Sequence, residues 1–143
     1  MAASKQFCTF RLDGMLCGVE VDRVQEVLRF QRMTRIPLAP ATAKGLINLR
    51  GQIVTAIDMR GRLGLAPLPE EKRPMNVVLH PEAGGVSLLV DEIGDVVEVS
   101  PELYEPAQEK SDDAEIPDLV EGVYKLEEEL LHVLDTARAI QIA

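Results

Sequence analysis

Residues 45–58 and 122–135 repeat one another at a constant spacing of 77 positions. Gly45 and Gly122 stand in step, as do Asp58 and Asp135. Between them Leu46, Ile47, Leu49, Ile53, Val54, Ala56 and Ile57 meet Val123, Tyr124, Leu126, Leu130, Leu131, Val133 and Leu134. An earlier stretch repeats at a spacing of 69, pairing Val19, Val21, Asp22, Val24 and Val27 with Leu88, Val90, Asp91, Ile93 and Val96. The difference of 8 fits a longer connection in the second half, around residues 100–117. Alternation alone aligns any two hairpins, but it does not put flanking glycines and aspartates in step. The chain therefore reads as a duplication, two small strand-rich barrels side by side, and the seam between them is a natural binding groove.

Local patterns fill in the elements. "FCTFRLDGMLCGVEV" alternates, with Cys8, Phe10, Leu12, Met15, Cys17, Val19 and Val21 on one face and Thr9, Arg11, Leu16 and Glu20 on the other. Asp13-Gly14 is a favoured pair for the primed turns that match strand twist, so Gly14 is a structural turn residue. Cys8 then lies opposite Val19 and Cys17 opposite Phe10. These thiols are diagonal neighbours and too far apart to bridge without backbone movement. Val21, Val24, Val27 and Leu28 switch to helical spacing, and Asp22 followed by Gln25 resembles a capping box. A short helix near residues 22–29 is predicted, exposing Arg23, Glu26 and Arg29, and the prolines of "TRIPLAP" cannot continue it. Residues 44–57 form the next hairpin, with Gly45 and Gly51 as structural glycines, and Asp58 caps a brief helix that ends near Gly64. "APLPEEKRP", residues 66–74, reads as a linker between a first subdomain of about residues 1–65 and a second of 75–143, with terminal strands able to swap. The second half continues with a hairpin turning at Gly84-Gly85, a helical or strand-like "DEIGDVVEV", and a closing segment in which Asp135 is the second cap.

Charge and inventory exclude much. The net charge is -9, yet residues 1–65 carry ten Lys/Arg against five Asp/Glu, and the remainder five against nineteen. That split favours oriented association with charged partners. It disfavours nucleic acid and acidic lipid, because the acidic half repels phosphates. No run of 18 apolar residues appears and "MAASKQ" is polar, so a soluble, cytoplasmic protein without membrane insertion is expected. His80 precedes Pro81 beside a turn, and His132 sits among aliphatic strand residues. No Cys/His spacing suits zinc, no serine lies in a nucleophile elbow, and "GRLG" lacks the spacing of a phosphate loop. The consecutive acids Glu127, Glu128 and Glu129 read as a solvated tip rather than a catalytic pair. The expectation is a non-enzyme with no metal and no cofactor.

Arg50 is the residue that the hairpin itself does not require. "NLRG" is readable as a type I turn from Asn48 to Gly51, or Arg50-Gly51 is itself the two-residue loop. Both versions leave Arg50 at the tip. The position 77 residues later is Glu127, so equivalent tips carry opposite charges.

"TRIPLAPATAKGLINLRGQIVTAIDMRGRLGL" strongly resembles the CheW family, adaptors of bacterial chemotaxis signalling arrays. The shared elements are Ile36-Pro37, Gly45, Ile47 to Gly51, Ile53 to Ile57, and Ile57 to Arg60. "VDRVQEVLR" and "LLVDEIGDVVEV" resemble the family's counterpart segments in the two halves. Thr55 stands where the family often has proline, and residues 107–119 match poorly. The resemblance implies a mainly β fold of two SH3-like five-stranded barrels with short helices. It implies a non-catalytic scaffold, at receptor arrays on the inner face of the membrane. Its partners would be the cytoplasmic hairpin tip of a chemoreceptor and the regulatory domain of a CheA-type histidine kinase. By matching positions, Val24, Glu26, Arg50, Ile53, Met75 and Val96 form the receptor face, while the kinase contacts are not assigned. The alternatives are a CheW-like adaptor of another pathway, serving gliding motility or development, or a small-ligand-binding barrel.

Overall fold

A computed structural model of the chain describes residues 4–37, 42–81, 84–106 and 119–140. Strands β1 (Lys5–Leu12) and β2 (Met15–Glu20) are joined by Asp13 and Gly14, both at positive φ, 53° and 81°. Cys8 pairs with Val19 and Phe10 with Cys17, and both cysteines are free thiols. The register follows from the turn, because a two-residue primed loop leaves one alignment of the flanking strands. Thr9 and Leu16, expected on an outer face, are buried as well. Leu16 packs with Phe7, Tyr124 and Leu131 in a second cluster on that side of the sheet.

The helix expected near residues 22–29 does not form. Val21–Arg23 make a single 3-10 turn, and Val24–Leu28 run on as strand β3. Val24, Glu26 and Leu28 are half-buried while Gln25 and Val27 are exposed, a period of two rather than a helical stripe. Valines at 21, 24 and 27 favour extended backbone, and pairing with a neighbouring strand decides the matter. Asp22 lies inside the 3-10 turn and caps nothing, and the N-cap position belongs to Glu20, whose side chain makes no cap bond.

The chain continues through β4 (Ala43–Leu49), β5 (Gln52–Asp58), α1 (Met59–Arg62), β6 (Met75–Leu79), β7 (Val86–Val90) and β8 (Glu92–Val99). Then follow β9 (Tyr104–Pro106), β10 (Val120–Lys125), β11 (Leu130–Leu134) and α2 (Thr136–Ala139). Two sheets result, a six-stranded one in the order β8-β1-β2-β11-β10-β9 and a five-stranded one in the order β3-β6-β7-β5-β4. The halves of the sequence therefore do not coincide with the sheets. Each half lends its first hairpin to the other, and residues 66–74 connect two elements bordering the same sheet. The sixth strand, β9, extends the first sheet beyond the expected five.

The two sheets are superimposable in register. Cys8 opposite Val19 becomes Val77 opposite Leu88, and Gly45 opposite Ala56 becomes Gly122 opposite Val133. The parallel pairings match too: Ala56 with Ser87, and Val133 with Gly18. Even the bulges fall at equivalent places, between Val24 and Glu26 and between Cys8 and Phe10. Gly45 is not a turn residue. It lies within β4, and a Cβ there would come 2.9 Å from both the Met33 Cβ and the Thr34 carbonyl oxygen. Thr34 crosses at that point, exchanging hydrogen bonds of 2.8 and 2.7 Å with Leu46. At Gly122 a side chain is the obstruction, since a Cβ there would overlap the Tyr104 ring. Asp58 and Asp135 occupy N-cap positions, but only Asp135 accepts a hydrogen bond from the helix, Arg138 N at 3.2 Å, whereas Asp58 makes none.

The main core draws on both sheets, with Phe10, Cys17, Ile57, Met59, Val77 and Leu88 fully buried together. One ion pair fastens its edge. Arg60 donates from Nε and Nη2 to the two Asp91 oxygens at 2.8 and 2.7 Å, and from Nη1 to the Ala66 carbonyl at 2.8 Å. Asp91 also accepts from the Asp13 N–H at 2.8 Å, so α1, the first turn, the 66–74 segment and the β7–β8 junction meet there. Burial raises the Asp91 carboxyl, but Arg60 and the Asp13 amide outweigh it and hold it below the usual carboxylate range.

Two outcomes follow. Arg60→Ala leaves a half-buried carboxylate without its partner and should lower unfolding free energy by about 3 kcal/mol in a denaturant titration. Because the folded-state pKa of Asp91 is depressed, its contribution is complete above the unfolded value and is lost as pH falls through the folded value. Asp91→Asn should therefore flatten the acid limb of a stability profile below about pH 4. Gly45→Ala should cost about 1–3 kcal/mol, because the obstructing Thr34 oxygen is backbone and cannot swing aside; a midpoint equal to wild type would contradict the close crossing.

Candidate docking groove at the Arg50 tip

Leu49 pairs with Gln52, so Arg50 and Gly51 alone form the loop between β4 and β5, with φ of 51° and 88°. The type I reading of "NLRG" is thereby excluded. Asn48 Oδ1 accepts the Gly51 N–H at 3.0 Å and clamps the turn from inside. Among the described residues, Asp13 and Arg50 are the non-glycine residues at positive φ. Aspartate tolerates that region through its short polar side chain, but an arginine there costs about 1 kcal/mol relative to asparagine or glycine. The repeated hairpin has Glu127 and Glu128 at these positions, and neither adopts positive φ.

The Arg50 side chain is 68% exposed, and its Nη2 ion-pairs with Glu26 Oε2. Glu26 belongs to β3, three strand steps from β5 in the sheet order, which is about 14 Å across a flat sheet. The pair therefore reaches over β6 and β7. A groove of about 530 Å³ is lined by Leu49, Ile53, Val54, Val78 and Leu79, with Gln25, Gln52 and Arg50 among them. Gly85, at φ 72°, brings the β6–β7 turn against β5, where its carbonyl accepts Thr55 N at 2.8 Å. Ile53 stands in this groove 60% exposed. Such a surface accepts an apolar ridge and reads one charge at its rim, and these lining residues include no nucleophile and no acid–base pair.

Of the six residues assigned to a partner face, Arg50 and Ile53 line the groove and Glu26 joins them through the ion pair. Val24 pairs with Leu79 but is half-buried against the main core. Met75 sits at the far end of β6 and also packs on the core, and Val96, 57% exposed, lies on edge strand β8 of the other sheet. The lining residues Val78, Leu79, Pro81 and Gly85 come from the second half of the sequence, and only the strand exchange reveals them as neighbours of Ile53.

The corresponding tip of the other sheet is acidic. Glu129 accepts from both terminal nitrogens of Arg11, at 2.6 and 2.9 Å, and the hydrogen bond from Arg11 holds its carboxyl below the usual range. Glu129 is therefore ion-paired, and Glu127 is the residue that matches Arg50. The exposed large apolar residues repeat as well: Val27 matches Val96 and Ile53 matches Leu130. Among the described residues no group of three His, Cys, Asp or Glu is placed to hold a metal, and no helix is long and apolar enough to cross a membrane.

The model of the CheW-like domain family matches residues 6–143. The chain belongs to the CheW family. CheW proteins are scaffolds, and the likeness extends to individual members. The chain is 32% identical over 111 residues to a probable chemotaxis protein CheW of Rhizobium etli, covering 78% of this chain and 72% of that protein. It is 35% identical over 86 residues to the protein PilI of Pseudomonas aeruginosa, covering 59% and 47% of the two chains. The crystal structure of the scaffolding protein TtCheW from Thermoanaerobacter tengcongensis aligns with a TM-score of 0.82 at 25% identity, over 94% of this chain and 86% of that one.

Arg50→Asn tests what the arginine does for folding. An exposed ion pair contributes about 0–1 kcal/mol, which the relief of turn strain offsets. The variant should melt at or slightly above the wild-type temperature, and a loss beyond about 1 kcal/mol would show that Arg50 serves the fold.

Proposed function

We propose that this CheW-family protein is a cytoplasmic adaptor that couples the cytoplasmic hairpin tip of a chemoreceptor to the regulatory domain of a CheA-type histidine kinase. The observation that carries the proposal is an arginine kept at a strained turn position beside an exposed isoleucine, where asparagine or glycine would relieve the strain. Strain held at an exposed tip points to use by a partner. A helical hairpin offers a ridge of apolar side chains, and its insertion between the β4–β5 turn and Gly85 would bury Ile53. Arg50, preset by Glu26, would then select register by pairing with an acidic residue on the partner, an effect on specificity more than on raw affinity. The repetition of exposed apolar positions on the other sheet, Val96 and Leu130, supports a second partner on a second face.

A second reading is favoured by the likeness to PilI: an adaptor in a chemosensory pathway other than chemotaxis, such as one serving gliding motility or development. Both readings use the same groove and differ in which receptors fit it.

Isothermal titration with a receptor hairpin tip and, separately, a kinase regulatory domain tests the proposal. Arg50→Asn and Ile53→Asp should each weaken receptor binding at least about tenfold, equivalent to 1.4 kcal/mol, and leave kinase binding within about twofold. Equal receptor affinity for wild type and both variants would remove the groove from the receptor contact.

A further inference from the structure

Asp22 and Asp91 are related by the 69-residue spacing, and Arg60 and Ala137 by the 77-residue spacing. The backbone frames around the two pairs are alike. Asp58 N donates to Thr42 O at 2.7 Å and Asp135 N to Leu119 O at 2.8 Å, while Leu63 N reaches Met59 O at 3.0 Å and Ile140 N reaches Thr136 O at 3.1 Å. In one frame the Arg60 guanidinium grips Asp91 through two hydrogen bonds. In the other, the side chain of Ala137 stops at Cβ, and Asp22 is exposed with no hydrogen bond or ion pair to another described residue.

The surroundings of Asp22 suit the same kind of side chain. A pocket of about 210 Å³ is lined by Asp22, Arg23, Leu79, His80, Thr136, Ala137 and Ile140. Leu79, Ala137 and Ile140 offer an apolar bed for a methylene stem, and the carboxylate offers two acceptors for a planar fork. Arg23 shares the pocket wall, and its guanidinium is held there by Thr136 Oγ1 at 3.4 Å and by Glu20 Oε2 at 3.7 Å rather than by Asp22. An adjoining pocket is lined by Asp22 again, with Glu20, Glu98 and Lys5. Burial, and then the carboxylates of Asp135 and Glu20, raise the Glu121 carboxyl, while Arg23 and Lys5 act to lower it.

We propose that the Asp22 pocket binds an arginine side chain presented by a partner protein, in the way that Asp91 holds Arg60 within the chain. Arginine is favoured over lysine because its fork matches a carboxylate bidentately, whereas an ammonium is a point charge with stronger hydration. Leu79, a buried residue, lines both this pocket and the Arg50 groove. The inference does not depend on what fills the groove.

The test is a nitrogen-resolved NMR titration of the full chain with N-acetyl-arginine methylamide, and with the lysine and citrulline analogues. The arginine probe should produce saturable shifts at the amides of Asp22, His80, Thr136 and Ala137. The lysine analogue should bind several-fold more weakly, and citrulline should produce no shifts there. Asp22→Asn should abolish the response, and Ala137→Arg, which supplies the guanidinium from within, should reduce it at least tenfold. Spectra away from the pocket report whether each variant is folded, and the three probes on wild type stand without either variant. Equal binding of lysine and arginine analogues, shifts that persist in Asp22→Asn, or full binding by Ala137→Arg would each overturn the proposal.

Discussion

Two parallel strand contacts, β5 beside β7 and β11 beside β2, hold the architecture together. Parallel neighbours cannot be joined by a short turn, so each contact must be filled by a strand arriving from elsewhere in the chain. Here it arrives from the other half of the duplication. The consequence is a single main core to which both halves contribute, Phe10 and Ile57 from one and Val77 and Leu88 from the other. A second consequence concerns function. The groove at the Arg50 tip is walled by a hairpin of the first half and a hairpin of the second, so it exists only when the exchange is complete.

Within that frame the two sheets have diverged where their backbone is least constrained. Their registers, bulges and helix starts coincide, while their tips differ. One carries Arg50 at positive φ over an exposed Ile53, and the other carries Glu127 without positive φ beside Leu130. The Arg60–Asp91 pair has no repeated arginine either, since Ala137 stands at the matching place. Duplication thus supplied a stable double scaffold, and the differences that remain are charges at rims and pockets. The Arg60–Asp91 pair serves stability, whereas the exposed charges at the tips are features that set orientation and partner choice.

Much of this was legible in the sequence. The first hairpin could be read to its register because Asp13-Gly14 admits one turn geometry, and the repeat could be read because Gly and Asp recur in step. The sequence allows a swap of terminal strands, but that each half gives up its first hairpin could not be read, since spacing along the chain does not say which half a strand pairs with. Residues 22–28 misled because three valines spaced by three mimic a helical stripe, whereas pairing of β3 with β6 imposes alternation. Gly45 was legible as a necessary glycine but not as a crossing point, because the obstructing Thr34 is brought there by a bridge that local pattern does not reveal. The charged tip was visible at once. Its neighbours Val78, Leu79 and Gly85 became visible only with the fold.

The most direct measurement is a methyl-resolved NMR titration of the chain with a receptor hairpin tip. Seating of an apolar ridge at the sheet mouth predicts that the methyls of Ile53, Leu49 and Leu79 shift and saturate together, while those of Leu130 on the opposite sheet stay in place. Saturable movement of Leu130 with Ile53 unperturbed would contradict it.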